Sequence, residues 1–221
     1  MSILSSTPPV IEYPETDNQP MAENTLQFQW IVTIKEGLEC VFADRPDVFV
    51  AGDLFWYPVE GNPEIRAAPD AMVVIGRPKG HRRSYQQWQE GDLPPQVVFE
   101  VLSPGNRPGE MCDKRKFYER HGVEEYYVYD PDEVEMEGFR RSDGLLAPIA
   151  DLNGWTSPRL GIRFELDGPE LVIRDPDGRP FRTFQENRRE LDRARHERDQ
   201  IAADRDRLAA RLRAAGIDPD Q

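Results

Sequence analysis

Cysteine and histidine are scarce in this chain. Among 221 residues there are two cysteines and three histidines. Cys40 and Cys112 stand far apart, and His81, His121 and His196 do not cluster, so no metal-ligand spacing exists among them. This weighs against a zinc site or a disulfide framework and predicts buried, reduced thiols in a cytoplasmic protein. Long apolar runs are missing too. No stretch approaches ~18 apolar residues, so no transmembrane helix and no membrane partner is expected. The opening Met1–Pro9 lacks the basic region and apolar run of a secretory signal. Positive charge is in deficit: 28 Lys and Arg face 41 Asp and Glu, for a net charge of −13. That sign excludes a protein that coats nucleic acid through its whole surface. It leaves room for a local phosphate site, where a basic cluster or a bound cation reverses the field.

What is present divides into three stretches. Residues 1–20, rich in Pro, Ser, Thr and acid, read as a flexible lead-in. Residues 21–183 read as one domain, and 184–221 as a charged C-terminal helix. From Glu23 to about Ala43, Trp30, Ile31, Ile34, Leu38 and Val41 recur at three- and four-residue steps, which predicts an amphipathic helix with Asn24-Thr25 at its cap. Val48–Tyr57, with Asp53 inside it, reads as a strand, and Pro69–Ile75 as another. Gly76–Pro95 is a long insertion carrying Arg77, Lys79, Arg82, Arg83, Tyr85 and Trp88.

Val97–Leu102 is apolar apart from Glu100, the pattern of a central strand buried on both faces. A helix follows over Glu110–His121, stopped by Gly122. Glu125–Pro131 is the next strand, with shorter candidates at Met136–Arg140, Leu145–Ile149 and Glu170–Ile173. This order predicts an α/β fold, a mixed sheet flanked by helices. In the C-terminal stretch Leu191, Ala194, Arg198, Ile201, Arg205, Leu208 and Leu212 form a narrow seam interrupted by two arginines. Such a helix is either a solvated element lying against the domain or a short coiled coil that forms a homodimer.

The chemistry concentrates on four residues. A carboxylate within Val-Val-Phe-Glu-Val-Leu is costly unless paired, protonated or bound to a cation, so Glu100 is either an edge-facing charge or a ligand. Asp70 begins one strand as Glu100 closes another. If those strands are neighbours, both acids can share one hard divalent cation. Lys114 and Tyr118 lie one helical turn apart and face the same way. They are either a surface lysine and a half-buried aromatic or a charge and a hydroxyl aimed at a phosphate. The set suggests a metal-dependent phosphodiesterase.

At these residues the chain resembles the PD-(D/E)XK nuclease superfamily, and more specifically the Uma family of restriction-endonuclease-like proteins. The likeness rests on Ala68-Pro69-Asp70, on Val97–Leu102 with Ser103-Pro104-Gly105-Asn106-Arg107, on Lys114–Tyr118, and on Gly122–Pro131. The resemblance implies a restriction-endonuclease-like fold and an endonuclease that hydrolyses DNA with Mg²⁺ or Mn²⁺. It implies Asp70 and Glu100 as metal ligands together with the Val101 backbone carbonyl. One position departs from the pattern. The superfamily lysine two residues after the acid is Leu102 here, and the resemblance moves that role to Lys114, with Lys116 a poorer substitute. Glu23 and Asp53 are further acids for such a site, or merely a helix N-terminal acid and a strand-edge residue. The basic insertion either reaches the DNA backbone, with Tyr85 or Trp88 stacking on a base, or is a solvated loop. Leu102 and the acidic charge motivate an alternative, a catalytically inactive nuclease-like module for binding or oligomerisation.

Overall fold

The computed structural model describes residues 11–16, 21–105 and 108–215. The chain divides into two compact units, Met1–Phe181 and Arg182–Gln221. In the first, helix α1 (Thr25–Val41) begins where the Asn24 side chain accepts the Gln27 N–H at 2.8 Å. That cap sets the start two residues after Glu23, because the capping residue itself is non-helical. Trp30, Ile31, Ile34 and Leu38 form the buried stripe foreseen from their spacing.

Six strands form the main sheet. In spatial order they are β1 (Val48–Ala51), β3 (Ala71–Ile75), β5 (Val97–Val101), β6 (Glu125–Asp130), β7 (Glu135–Ser142) and β8 (Leu145–Pro148). All neighbours are antiparallel except β5 and β6, which run parallel and are joined by helix α2 (Pro108–Arg120) as their crossover. Helix α2 stops because Gly122 takes φ 96° and lets the Val123 N–H return to the Tyr118 carbonyl at 3.0 Å, a left-handed glycine cap. The fold is therefore the expected mixed α/β sheet flanked by helices, with a long C-terminal helix.

Strand alternation gives the sheet two apolar faces. Val97, Phe99 and Val101 point toward α1 and toward a hairpin of β9 (Arg163–Glu165) and β10 (Val172–Arg174). Val98 points to the opposite face, against Tyr118 of α2, Val123, Tyr126 and Phe139. Glu100 shares that second face, so α2 covers it. Along α1, Gly37 leaves the space that the Phe181 ring fills. Any side chain there would displace the ring.

Several expectations are corrected. The strand foreseen over Val48–Tyr57 is broken at Asp53, whose φ is 47° and whose N–H bonds the Pro69 carbonyl at 3.0 Å. It becomes β1 and β2 (Trp56–Tyr57). The insertion Gly76–Pro95 contains β4 (Tyr85–Gln86), parallel to β2, and a 3₁₀ turn at Gln87–Glu90. Both cysteines are exposed rather than buried. They occupy helix flanks that the apolar stripes leave outside. Of the lead-in, residues 1–10 and 17–20 lie outside the described residues. The part that is described is docked, not loose: the Tyr13 hydroxyl accepts the Gly61 N–H at 2.6 Å, and the Tyr57 hydroxyl donates to the Pro14 carbonyl at 2.5 Å. Among the described residues no helix is long and apolar enough to cross a membrane.

The second unit is helix α3 (Phe184–Ala214). Thr183 and Glu186 close it with a reciprocal capping box. Its 31 residues make a rod of about 46 Å. Leu191, Ile201, Leu208 and Leu212 of the seam are exposed.

Candidate active site

Asp70 directly precedes β3. The register Ala71↔Phe99 sets Asp70 opposite Glu100 one step further on, with both side chains on the face that α2 covers. The Asp70 carboxylate accepts the Val101 N–H at 2.7 Å. Glu100 is 2% exposed. One of its oxygens accepts from the Lys114 ammonium at 2.8 Å, and the other accepts from the Tyr118 hydroxyl. Lys114 and Tyr118 reach one carboxylate because four residues along a helix return to the same side. The residues foreseen as a set, Asp70, Glu100, Lys114, Tyr118 and the Val101 backbone, are thus brought to one end of β5.

The electrostatics follow from burial beside like charge. Asp70 is held well above the usual carboxylate range, first by burial and then by the negative charge of Glu100, with Asp53 adding to it. The Val101 N–H and Lys114 only partly offset this. For Lys114 burial favours the neutral amine, but Glu100 and Asp70 outweigh it, and the net shift is upward. Tyr118 is pushed far above its ordinary value by burial and by Glu100, so it remains a hydrogen-bond donor.

The far side of the site is built by α1. Gln27, buried, donates from Nε2 to the Val101 carbonyl at 2.8 Å, and its side-chain oxygen accepts the Glu23 N–H at 2.8 Å. Glu23 itself accepts from the Ser103 hydroxyl at 2.5 Å, over the backbone of Gly105, where a Cβ would collide with its carboxylate. Gln27 went unforeseen, and Ser103 stood in the matched series without a role. The only signal for Gln27 was a polar residue one turn after Glu23, just inside a helix start.

Other candidates fare differently. Lys116 is exposed and paired with Asp113 at 3.1 Å, away from Glu100. The cations of the basic insertion are paired: Arg82 is bidentate to Glu90 and Arg77 lies 3.9 Å from the same carboxylate, within the insertion, while Lys79 pairs with Glu39 of α1 and Arg83 with Glu15 near the N-terminus. Tyr85 cannot stack on a base. It is wholly buried, with its hydroxyl bound to the Leu93 carbonyl at 2.7 Å. Trp88 rests against Tyr13, their ring centroids 5.0 Å apart. Asn106 and Arg107 lie outside the described residues.

The donor set fits a hard cation. Two carboxylates and a backbone carbonyl are oxygen ligands, and Gln27 occupies only one of the carbonyl's two lone pairs. Among the described residues no group of three or more His, Cys, Asp or Glu side chains is arranged to hold a metal.

Comparison with known proteins places the chain in a family. The model of the Uma2 family, described as "Putative restriction endonuclease", matches residues 19–167, and the chain belongs to that family. Among solved structures, one similar chain is described as a "putative nuclease belonging to DUF820 from Anabaena variabilis". It is 14% identical, with a TM-score of 0.46 over 61% of this chain and 72% of that one. No curated protein matches.

Proposed function

We propose that the protein is a metal-dependent endonuclease that hydrolyses DNA phosphodiester bonds, its chemistry carried by residues 21–183. The observation that supports it most is the pair of carboxylates on adjacent strand ends, one of them strained by the other's charge and both beside a lysine. Buried like-charged acids with a single cationic partner are a mark of functional sites. Asp70, Glu100 and the Val101 carbonyl would hold Mg²⁺ or Mn²⁺. Bound there, the ion supplies charge against that developing on the phosphate and acidifies water. Asp70 is oriented for this by the Val101 N–H, and Gln27 fixes the carbonyl from the other side. Tyr118 and Lys114 hold the Glu100 carboxylate in one rotamer. The Lys114 ammonium stays charged at neutral pH and offers a donor to a phosphate oxygen. Leu102 cannot give that donor, so the reading requires Lys114 to do so.

The test is cleavage of supercoiled plasmid by the full chain with Mg²⁺ or Mn²⁺, with EDTA as control. EDTA-sensitive nicking is expected. Its absence under both ions would leave the inactive-module reading, which the paired cations of the insertion favour. We also assign α3 as a homodimer contact between copies of this chain, because Leu191, Ile201, Leu208 and Leu212 are exposed along one seam of three heptads, with Arg198 and Arg205 interrupting it. Light scattering should give twice the chain mass for the full protein and a monomer for a chain ended at Phe181. Equal states would remove that assignment.

A further inference from the structure

A cavity of about 530 Å³ opens next to the carboxylate pair, on the same face of the sheet. Leu102 forms part of its wall. Its N–H continues the ladder to the Tyr129 carbonyl at 2.7 Å, so it stands two pleats, ~6.6 Å, beyond Glu100 and points the same way. Pro104, Met111, Tyr126, Val128 and Phe139 add to the apolar lining. Two polar groups in this lining are underused. Arg115 lies over the Phe139 ring at 4.9 Å and makes no ion pair among the described residues, unlike the four cations of the insertion. Tyr126 is 1% exposed, and its hydroxyl has only the Met111 sulfur, at 3.9 Å, within reach among the described residues. Thioether sulfur is a weak acceptor.

We propose that this cavity receives a nucleobase, from the nucleotide next to the phosphate that Lys114 and a cation at Asp70 and Glu100 would hold. The inference rests on the nuclease reading for that alignment. A base is the part of a strand that fits. The walls are apolar and aromatic, which suits the flat face of any base, and the Arg115 guanidinium extends that stacking surface. Asp130, Glu135 and Glu137 line the rim. They repel phosphate and accept hydrogen bonds from the exocyclic amino groups of cytosine or adenine. A chain with net charge −13 and a basic insertion whose cations are already paired draws little affinity from the phosphate backbone, so stacking is the larger source left. Leu102 thereby gains a role: where the superfamily pattern has a lysine, this chain has a pocket wall. A base inside the cavity is unstacked from its neighbours, so the preferred substrate is a single strand or a locally opened duplex.

The test is equilibrium binding of the full chain in EDTA, by fluorescence anisotropy, to a short oligodeoxycytidylate and to an abasic strand of equal length. The cytidylate should bind about tenfold more tightly, the size of one stacked base. Met111→Trp, which fills the cavity, and Arg115→Ala should erase most of that preference, while Lys116→Ala on the exposed flank of α2 keeps it. Should Met111→Trp fail to fold, alkylating Cys112, which also lines the cavity, in a Cys40→Ser background gives the same block. The cytidylate should also slow that alkylation. Equal affinity for the two strands, or a preference that survives filling the cavity, overturns the inference. Plasmid cleavage without base-dependent binding sinks the pocket alone. Base-dependent binding without cleavage sinks the nuclease reading and the alignment with it, and keeps only a base-binding cavity.

Discussion

Two glutamates on adjacent strands are each 2% exposed and have opposite surroundings. Glu125 opens β6. It accepts from the Tyr127 hydroxyl at 3.0 Å, the Ser157 hydroxyl at 2.5 Å and the Arg159 N–H at 3.0 Å. These side-chain and backbone donors are neutral, and they tie the segment after β8 to the sheet. Glu100 lies next to last in β5 and is shared by an ammonium, a phenol and the field of a second carboxylate. Burial alone therefore does not mark a functional acid. A carboxylate met by fixed neutral donors is a staple. One set beside a second carboxylate, at the carboxyl end of a parallel strand pair where a crossover helix begins, stands where we propose a cation sits.

The sharpest way to break this contrast is to neutralise each acid in turn. Asp70→Asn or Glu100→Gln should cut metal-dependent plasmid cleavage by at least about a hundredfold, the size of losing one preorganised electrostatic contact. Glu125→Ala should leave cleavage per folded molecule unchanged. It should cost about 3 kcal/mol in urea unfolding, since three buried donors lose their acceptor. If Glu125→Ala abolishes cleavage in a folded protein, the staple reading fails.

A second contrast is in stability against pH. Asp70 is raised above its ordinary value in the folded protein, so the folded state keeps a proton that the unfolded chain releases first. This group's stability contribution is intact below the ordinary carboxylate value, declines as pH rises to the raised value, and is flat above it. Asp70→Asn should therefore look progressively more stable than the wild type from acid to neutral pH, while being inactive. Chemical denaturation of both proteins across that range measures it. A pH-independent difference would remove the electrostatic account. Mn²⁺ affinity, followed by calorimetry, should climb over the same window. The smallest effect is expected for Tyr118→Phe, which removes one donor from Glu100 at a cost of about 1 kcal/mol. Its cleavage should fall less than that of Asp70→Asn.

Much of this arrangement was legible residue by residue. The stripe Trp30–Leu38, the cap at Asn24, the apolar run at Val97–Val101 and the glycine stop at Gly122 each depend on neighbours within a few positions, and they emerge with ends shifted by one or two residues. The four site residues were named because Pro-Asp, a glutamate in an apolar strand, and a lysine and tyrosine one turn apart form an ordered series. What was not legible was long-range. Nothing local says that Gln27 reaches Val101, 74 residues away. Nothing local says that Arg82 pairs with Glu90 while lying over the Phe49 ring, or that Cys40 and Cys112 fall outside the apolar stripes. Asp53 was misread because its aromatic neighbours look like uninterrupted strand, while its positive φ comes from a backbone bond to Pro69.

By itself the amino-acid sequence determined the class of fold, the order of its helices and strands, and the chemical inventory of the site, because propensity, periodicity and caps act over one or two turns of chain. Only the tertiary structure decided that Asp70 and Glu100 share a face, that Lys114 closes on one of them, and that Leu102 borders an open cavity. Those outcomes hang on the register between strands distant in the chain and on which helix covers the sheet. A charge becomes functional or merely structural according to what is packed around it.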